Sequence, residues 1–349
     1  MVDGAVQPVH HPGQPDDLRP GADNRHHAGH DRLLHCRFGT PGAPPPTQSG
    51  QSPHIPTKHR TTGNDSVDRS AGPSRGAANH EIRIRTRHGK PRTRRSGDRG
   101  DTVEQVASNR ACVRHYAGTE ADDGADPDDV AQWQAEDTDL GTTWYANATA
   151  AAAEFWDSDL VCSIGDPHYS THGYTILGAA LEGATGTPVG ELTESELTAA
   201  FNLGTLRPEN LSDTSVRRST FYDGANDEYG GDEVSWKVLG GGMESSVADL
   251  ARFGDKLIGG EIVGPDSLDP MWVDTGWSYA YGWSISTEDG HRRIGKTGGA
   301  DGSTAYLQMY PDDGIVVAVL MNRADGVAGE NRAGVLGSEI GTLVLNTLP

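Results

Sequence analysis

Regular spacing of apolar side chains begins only after residue 100 of this 349-residue chain. The segment from residue 171 to residue 186 carries an apolar stripe with the i, i+3, i+7 spacing of an amphipathic helix. The members of the stripe are Tyr174, Leu177, Leu181 and Ala184. Gly186 and Pro188 follow, which is typical of a helix C-terminus. The pattern therefore predicts a helix over residues 171–186.

A second helix is predicted to begin after Ser246. Ser246 and Asp249 have the spacing of a capping box, in which the first side chain accepts a hydrogen bond from a backbone N–H of the first turn. The predicted apolar face consists of Val247, Leu250, Phe253 and Leu257. We expect this helix to have a structural role.

Alternating apolar residues and short turns predict an antiparallel meander in the last third of the chain. Its four strands cover residues 279–287, 291–297, 304–310 and 314–321. A Glu-Asp-Gly turn joins the first pair of strands, and a Pro-Asp-Asp-Gly turn joins the last pair. A closing helix at about 332–345 would cover one face of the sheet. The predicted fold class is therefore α+β, an antiparallel sheet flanked by helices.

Composition divides the chain at about residue 100. Residues 1–100 are rich in Pro, His and Arg and contain none of the seven Trp or ten Tyr. So little apolar surface cannot offset the entropy of an ordered chain, so we expect this low-complexity segment to be disordered. Residues 101–349 form the predicted globular domain.

Two further interpretations of the first segment rest on clusters of one residue type. A metal site could use His26, His27 and His30, although only their proximity in the sequence supports it. An acidic partner could bind a set of six arginines. These are Arg83, Arg85, Arg87, Arg92, Arg94 and Arg95.

Charge is distributed as unevenly as the aromatic residues. Residues 1–100 hold 16 Lys and Arg against 9 Asp and Glu, whereas residues 101–349 hold 13 against 41. So acidic a domain excludes nucleic acid as its expected partner. An acidic, Lys-poor composition also suits a high-salt cytoplasm, as in halophiles, and predicts that KCl stabilises the protein.

Several other classes are excluded by the sequence. No run approaches the roughly 18–20 apolar residues of a membrane span, and the first residues do not form an export signal. As written, the chain is expected in the cytoplasm. The cysteines, Cys36, Cys112 and Cys162, are too few and too scattered for a disulfide framework or a CxxC-type zinc site. Neither a metal nor an organic cofactor is indicated, and the oligomeric state is left open.

Tyr169-Ser170-Thr171 is the first segment that could carry chemistry. It stands just before a predicted helix, where a hydroxyl can face a cleft in the positive field of the helix N-terminus. Taken alone, the segment fits better a Tyr that packs at a loop-helix junction, with Ser170 or Thr171 as the helix cap.

Lys296-Thr297-Gly298-Gly299 is the second such segment, and it ends a predicted strand. A lysine there can bind a substrate anion or hold a neighbouring Tyr deprotonated. The glycines let a ligand backbone lie against the strand. Taken alone, the segment fits better a strand end followed by a glycine turn.

Together, five ordered segments resemble the serine β-lactamase and penicillin-binding protein family. They are ACVRHY (111–116), YSTHGYTILGAALEGATG (169–186), SWKVLGGGMESSVADLARFGDKL (235–257), YGWSI (281–285) and GKTGGADGSTAYLQMYPDDGIVVAVLMNR (295–323). They are most similar to its class C-like branch, and within it to the mitochondrial-type serine β-lactamase-like proteins and their prokaryotic homologues. The resemblance covers about 249 residues and implies a β-lactamase/transpeptidase-like fold.

The resemblance also implies roles for individual residues. Tyr169 matches the tyrosine that relays the proton between nucleophile and leaving group. Lys296 matches the basic residue that favours the deprotonated tyrosine and attracts the substrate carboxylate. Thr297 matches the hydroxyl that binds this carboxylate, and Gly299, next to Gly298, matches the strand N–H that completes the oxyanion hole. The implied activity is hydrolysis of a β-lactam, peptide or ester through an acyl-enzyme.

The chain departs from this family at the nucleophile. The family uses the serine of Ser-x-x-Lys, which lies upstream of the segment matched by residues 102–116. None of the five lysines has a serine three residues before it. We therefore expect no nucleophile and little or no turnover. Two alternatives remain, a non-catalytic binding or scaffold protein and a truncated product that does not fold stably.

The missing motif suggests an origin for the unusual first segment. GC-rich codons read out of frame yield Pro, Arg, His and Gly, and these residues dominate the region where Ser-x-x-Lys is expected. We hypothesise that residues 1 to about 98 are a frame-shifted or mis-started translation of a catalytic N-terminal half. Translation of the upstream DNA in all three frames tests this.

Overall fold

A computed structural model of the chain describes residues 101–224, 227–323 and 331–348. The predictions for residues 1–100, including the disorder and the His and Arg clusters, lie outside these residues. None of the helices in the described ranges combines the length and the apolar character that a bilayer span requires. The same ranges contain no group of three or more His, Cys, Asp or Glu side chains placed to hold a metal ion.

Nine α-helices lie in the described residues, and six of them come before residue 200. The α-helices are α1 (Val103–Ala107), α2 (Ala117–Asp122), α3 (Pro127–Thr142), α4 (Ala148–Ala152), α5 (Thr171–Thr185), α6 (Val189–Thr193), α7 (Val247–Ile258), α8 (Pro265–Met271) and α9 (Arg332–Leu345). A π-helical turn (Glu194–Ala199) follows α6, and a 3₁₀ segment (Ser235–Gly240) precedes α7.

The strands form one larger antiparallel sheet and two short ribbons. They are β1 (Arg207–Pro208), β2 (Phe221–Tyr222), β3 (Glu228–Tyr229), β4 (Met243–Glu244), β5 (Ser284–Glu288), β6 (His291–Ala300), β7 (Ser303–Tyr310) and β8 (Ile315–Met321). β1 pairs with β4, β2 pairs with β3, and the sheet has the order β5-β6-β7-β8. The predicted meander and the closing helix α9 are therefore confirmed.

The first predicted strand was too long at its start. Residues 279–283 are not in a strand, and Tyr279 forms only an isolated bridge to Ser284. Gly282 has a φ of +81°, which breaks the extended backbone, and a β-carbon there would come 3.0 Å from the Tyr174 hydroxyl. The glycine thus lets the chain bend around Tyr174 before β5 begins.

The two faces of the sheet are buried against different helices. Tyr306 and Val317 lie on one face with Ala333 of α9. Ile294 and Met309 lie on the other face in a cluster with Leu257 of α7. Alternation along β7 thus sends successive side chains to opposite helices. A sheet covered on both faces holds β6 rigidly in place.

A second core surrounds α5, which has the predicted bounds but not the predicted buried face. Ser170 is its N-cap and Gly186, with a φ of +75°, is its C-cap. Leu181 of the predicted stripe is 41% exposed, whereas Glu182 is 9% exposed.

Glu182 is buried because its carboxylate caps two other helices. It accepts hydrogen bonds from the backbone N–H groups of Ala148 and Thr149 at the start of α4, and from that of Val189 at the start of α6. Burial alone would raise the Glu182 pKa, but these bonds and one from the Thr149 hydroxyl lower it. The helix therefore buries the charged Glu182, whereas the apolar spacing predicted that the neighbouring Leu181 is buried.

The second predicted helix is confirmed as α7, with two differences. Ser246 accepts from the Asp249 N–H, but the Asp249 carboxylate binds the hydroxyl and backbone N–H of Thr205 and does not complete a capping box. Val247, placed on the apolar face, is 48% exposed. Leu257 of that face is buried as predicted.

Two features between residues 100 and 170 were not predicted from the sequence. The region 117–160 contains α2, α3 and α4. The cysteines do not make a multi-bridge framework, but Cys112 and Cys162 form one disulfide. Because their separation is 50 residues, sequence spacing alone carried no signal for this pair. The bond ties the segment after α1 to the loop that leads to Tyr169.

Candidate active site

The two sequence segments singled out for chemistry meet in space. Lys296 lies on β6, and Tyr169 is the last loop residue before the N-cap of α5. The Lys296 Nζ donates a hydrogen bond of 3.1 Å to the Tyr169 Oη, although the residues are 127 positions apart. The same Nζ lies 4.5 Å from the centroid of the Tyr169 ring. The fold thus pairs a cation with a phenol.

The residue after Tyr169 fixes the start of the helix. The Ser170 hydroxyl donates to the Arg114 carbonyl over 2.7 Å and accepts from the Gly173 N–H as the helix cap. The Ser170 N–H donates to the Asn109 side chain. The Ser170 hydroxyl is therefore the helix cap, which is one of the structural roles predicted for this segment.

Two buried, neutral histidines lie behind Tyr169. The His115 ring meets the Tyr169 ring edge-on, with centroids 5.2 Å apart. Burial is the main cause that lowers the His115 pKa well below its usual value. Burial, helped by the Arg114 charge, lowers the His172 pKa to about 4. Both rings are therefore uncharged at neutral pH. The His115 ring packs directly against Tyr169, whereas the His172 ring packs against Tyr116.

A buried ion cluster anchors these histidines. The Arg114 guanidinium, fully buried, donates to Glu136 and Asp137 at 2.8 Å each. Burial alone would raise the Asp137 pKa, but hydrogen bonding to His172 and the Arg114 charge lower it to about 2. Every charge in the cluster thus has a direct partner, which a buried charge requires.

The strand that carries Lys296 extends past its neighbour. β5 pairs with β6 only as far as Gly295, and residues 296–300 are paired with β7 alone. Gly298 and Gly299 add no side-chain bulk on this free edge, and the Gly298 carbonyl accepts from the Asn331 side chain. A ligand backbone can therefore approach the strand closely.

These groups line one cleft of about 480 Å³. It brings together the predicted residues Tyr169, Lys296, Thr297, Gly298 and Gly299. Sequence reasoning missed the remaining polar and aromatic residues of its wall. Among them are Tyr116, Glu209, Phe221, Tyr229, Asp232, Lys237, Tyr279 and Trp283. Several come from residues 205–235, a region in which the sequence suggested no site residue.

A second lysine-tyrosine pair lies in the same cleft. The Lys237 Nζ donates to the Tyr116 Oη over 3.0 Å, across 121 positions of sequence. Each residue lies in one of the five segments that resemble the family, and this is the signal that could have drawn attention to them. Nothing in their spacing predicted that they meet.

Three residues with hydroxyl side chains, Thr171, Thr297 and Ser303, also line the cleft. Among the described residues, none of these hydroxyls is hydrogen-bonded to either lysine or to its tyrosine partner. The described geometry therefore supplies cations, phenols and an open strand edge within one cleft.

A family profile and the curated relatives of the chain indicate the same family. The family profile described as Beta-lactamase matches residues 88–339. The human mitochondrial serine beta-lactamase-like protein LACTB is 25% identical over 205 residues, a match that covers 44% of this chain and 37% of that protein. Its mouse counterpart matches equally well. The chain thus spans little more than a third of the length of these curated relatives.

Solved structures share the fold at low sequence identity. A D-stereospecific amidohydrolase from Streptomyces sp. has a TM-score of 0.54 at 20% identity, covering 69% of this chain and 72% of that one. A penicillin binding protein from Bacillus halodurans has the same TM-score at 16% identity, covering 68% and 71%. An octameric penicillin-binding protein homologue from Pyrococcus abyssi has a TM-score of 0.52 at 21% identity, covering 72% and 58%.

Proposed function

The chain belongs to the beta-lactamase family, with its β-lactamase/transpeptidase-like α+β fold, and from this premise we propose that the cleft binds a carboxylate-bearing acyl compound without turning it over. In this proposal Lys296 and Thr297 bind the carboxylate. Tyr169 occupies the position of the tyrosine that relays a proton in the family's enzymes. Gly298 and Gly299 present the free edge of β6 to the ligand. The substrate class is a β-lactam, a peptide or an ester.

The hydrogen bond between Lys296 and Tyr169 carries the proposal. Acyl transfer requires a nucleophile, a base held ready by a cation, and N–H donors directed at the developing oxyanion. The Lys296 Nζ lies 3.1 Å from the Tyr169 Oη, which supports the second requirement. The free edge of β6 beyond Gly295 supports the third.

The first requirement, a nucleophile, is not met by a recognisable motif in this sequence. No lysine in the full sequence follows a serine by three positions, so the Ser-x-x-Lys nucleophile is missing. Loss of one member of a coupled catalytic set costs on the order of 10⁴ to 10⁶ in kcat. We therefore expect a pseudoenzyme that retains the binding half of the family's site.

Solved neighbours support an amide-type ligand. Two of them are a D-stereospecific amidohydrolase and a penicillin binding protein, and each resembles the described fold. Both names refer to acyl compounds in which an amide is bound or cleaved. For this chain, we extend only the ligand class, since the nucleophile motif is missing.

Three assays test the proposal on purified full-length protein. Benzylpenicillin should bind reversibly in isothermal titration, and Lys296→Met should weaken this binding. A fluorescent penicillin should leave no label after denaturation. Hydrolysis of nitrocefin and of a p-nitrophenyl ester should not exceed that of Tyr169→Phe. A covalent label, or hydrolysis above that control, would show that a nucleophile exists and that the protein is an enzyme.

The edge strand β8 favours a second candidate, a product that does not fold stably. Among the described residues, Ile315–Met321 pairs with β7 and leaves its other edge without a strand. Open edges promote association of chains. A single cooperative thermal transition of a monomer, with near-ultraviolet circular dichroism, would exclude this candidate.

A further inference from the structure

The lysines of the described residues are distributed unevenly. Lys256 forms a surface ion pair with Glu261 at 2.7 Å. Lys237 and Lys296, the two others in the described ranges, both line the cleft and both donate to a tyrosine. Neither of these two forms an ion pair with a described carboxylate. In a domain with 41 Asp and Glu, two unpaired ammonium groups in one cleft point to an anionic ligand.

Lys237 is held in place by aromatic rings. Its Nζ lies 5.6 Å from the Tyr116 ring centroid and 5.4 Å from that of Trp236. The Tyr116 ring in turn contacts His172 and Trp236 edge-on. An ammonium has three N–H donors, and one of them is used on the Tyr116 hydroxyl. Donors on a fixed cation therefore remain for a ligand.

Carboxylates stand near this lysine without pairing with it. Glu209 and Asp301 interact with the Lys237 charge, and Asp232 lines the same cleft. The Asp232 carboxylate accepts a hydrogen bond from the Tyr229 hydroxyl. Burial, reinforced by the Glu244 charge, raises the Glu209 pKa, and burial, reinforced by the Asp232 charge, raises the Asp301 pKa. The described hydrogen-bond partner of the Lys237 ammonium is therefore a neutral hydroxyl and not a carboxylate.

We propose that Lys237 and Tyr116 form a second anion subsite, and that the preferred acyl ligand is a dicarboxylate. One carboxylate is held by Lys296 and Thr297, which rests on the proposed function, and the other by Lys237 and the Tyr116 hydroxyl. Charge-assisted hydrogen bonds from both lysines then select against ligands with a single carboxylate. The specificity comes from the distance between two cations fixed by the fold.

A matched pair of penicillins tests the subsite. Carbenicillin differs from benzylpenicillin by one added carboxylate on the acyl side chain, so the ratio of their Kd values reports the second subsite alone. Isothermal titration of the full-length protein should give about tenfold tighter binding of carbenicillin, as one charge-assisted hydrogen bond implies. In Lys237→Met the ratio should fall to about one, and in Tyr116→Phe it should fall partway.

Lys256→Met is the control, since it removes the same charge from a surface ion pair and should keep the tenfold ratio. Wild-type protein that binds both penicillins equally would overturn the subsite but leave the proposed function standing. A tenfold ratio that survives Lys237→Met would also overturn the subsite. Failure of wild-type protein to bind either penicillin would overturn both proposals.

Discussion

The backbone N–H of Thr171 donates a hydrogen bond of 3.2 Å to Nδ1 of His115. The first residue of α5 is thereby joined to the chain segment that also carries Arg114 and Tyr116. The bond requires an unprotonated Nδ1, so the start of the helix behind Tyr169 depends on the charge state of a buried imidazole.

Acid should therefore destabilise the fold well before the carboxylates titrate. The pKa of His115 is lowered well below its usual value, and that of His172 is lowered to about 4. As the pH falls below about 6.5, the unfolded chain takes up these protons first. Stability is complete above that pH and decreases by about 1.4 kcal/mol per pH unit for each histidine.

Urea unfolding followed by tryptophan fluorescence between about pH 7 and pH 5 measures this slope. His115→Asn should reduce it by about half. A free energy of unfolding that is constant over this range would contradict the assignment of neutral buried rings.

Glu182→Gln should destabilise the protein by about 1–3 kcal/mol at neutral pH, because both carboxylate oxygens accept from helix N–H groups and the amide has only one acceptor oxygen. The pKa of Glu182 is lower in the folded than in the unfolded protein. Its contribution to the free energy of unfolding is therefore complete above the unfolded-state pKa of about 4.3 and is lost as the pH falls through the folded-state pKa. The difference from wild type should therefore shrink below about pH 4. Glu196→Gln, an exposed control, should change stability by less than about 0.5 kcal/mol.

Reduction of the Cys112–Cys162 disulfide should lower the free energy of unfolding. A loop of 50 residues gives about 4 kcal/mol from chain entropy. Urea unfolding with and without dithiothreitol measures the effect. The double variant Cys112→Ala, Cys162→Ala should not respond to the reductant, whereas Cys36→Ala should respond as wild type does. Equal stability of oxidised and reduced wild type would argue against this bond.

Two glycine-to-alanine changes in helices should have opposite effects. A β-carbon at Gly337 of α9 would overlap the buried Tyr306 ring, so Gly337→Ala should cost about 1–3 kcal/mol. Gly183 of α5 has open space around it, so Gly183→Ala should stabilise by roughly 0.5–1 kcal/mol through helix propensity. Thermal melting of the two variants measures both. If both changes had the same sign, the packing of α9 on the sheet would have to differ from that described.

Local chemistry in the sequence was enough to place most elements of the sheet and its covering helices. Gly290 and Gly314 have positive φ values of 92° and 67° at the two predicted hairpin turns, a conformation that glycine adopts without strain. Ser170 and Ser246 cap the helices that were predicted to start beside them. Such signals act over a few residues, so they can be read without knowing the rest of the fold.

Long-range relationships were not readable in the same way. The inward turn of Glu182 depends on helix starts that lie 33 residues before it and seven after it. Lys237 and Tyr116 come together across 121 residues. The pairing of Tyr169 with Lys296 was anticipated only because their motifs occur together in a family, since neither segment by itself specified a partner.

The position of Lys237 and Lys296 in so acidic a domain has a kinetic consequence. An anion in solution meets the repulsion of 41 acidic residues before it comes within reach of two cations. Salt screens the distant repulsion beyond a Debye length of about 10 Å at 0.1 M, but weakens the short contacts less. Moderate salt should therefore accelerate capture of a dicarboxylate, the reverse of electrostatic steering by a complementary surface. Affinity would then pass through a maximum as ionic strength increases.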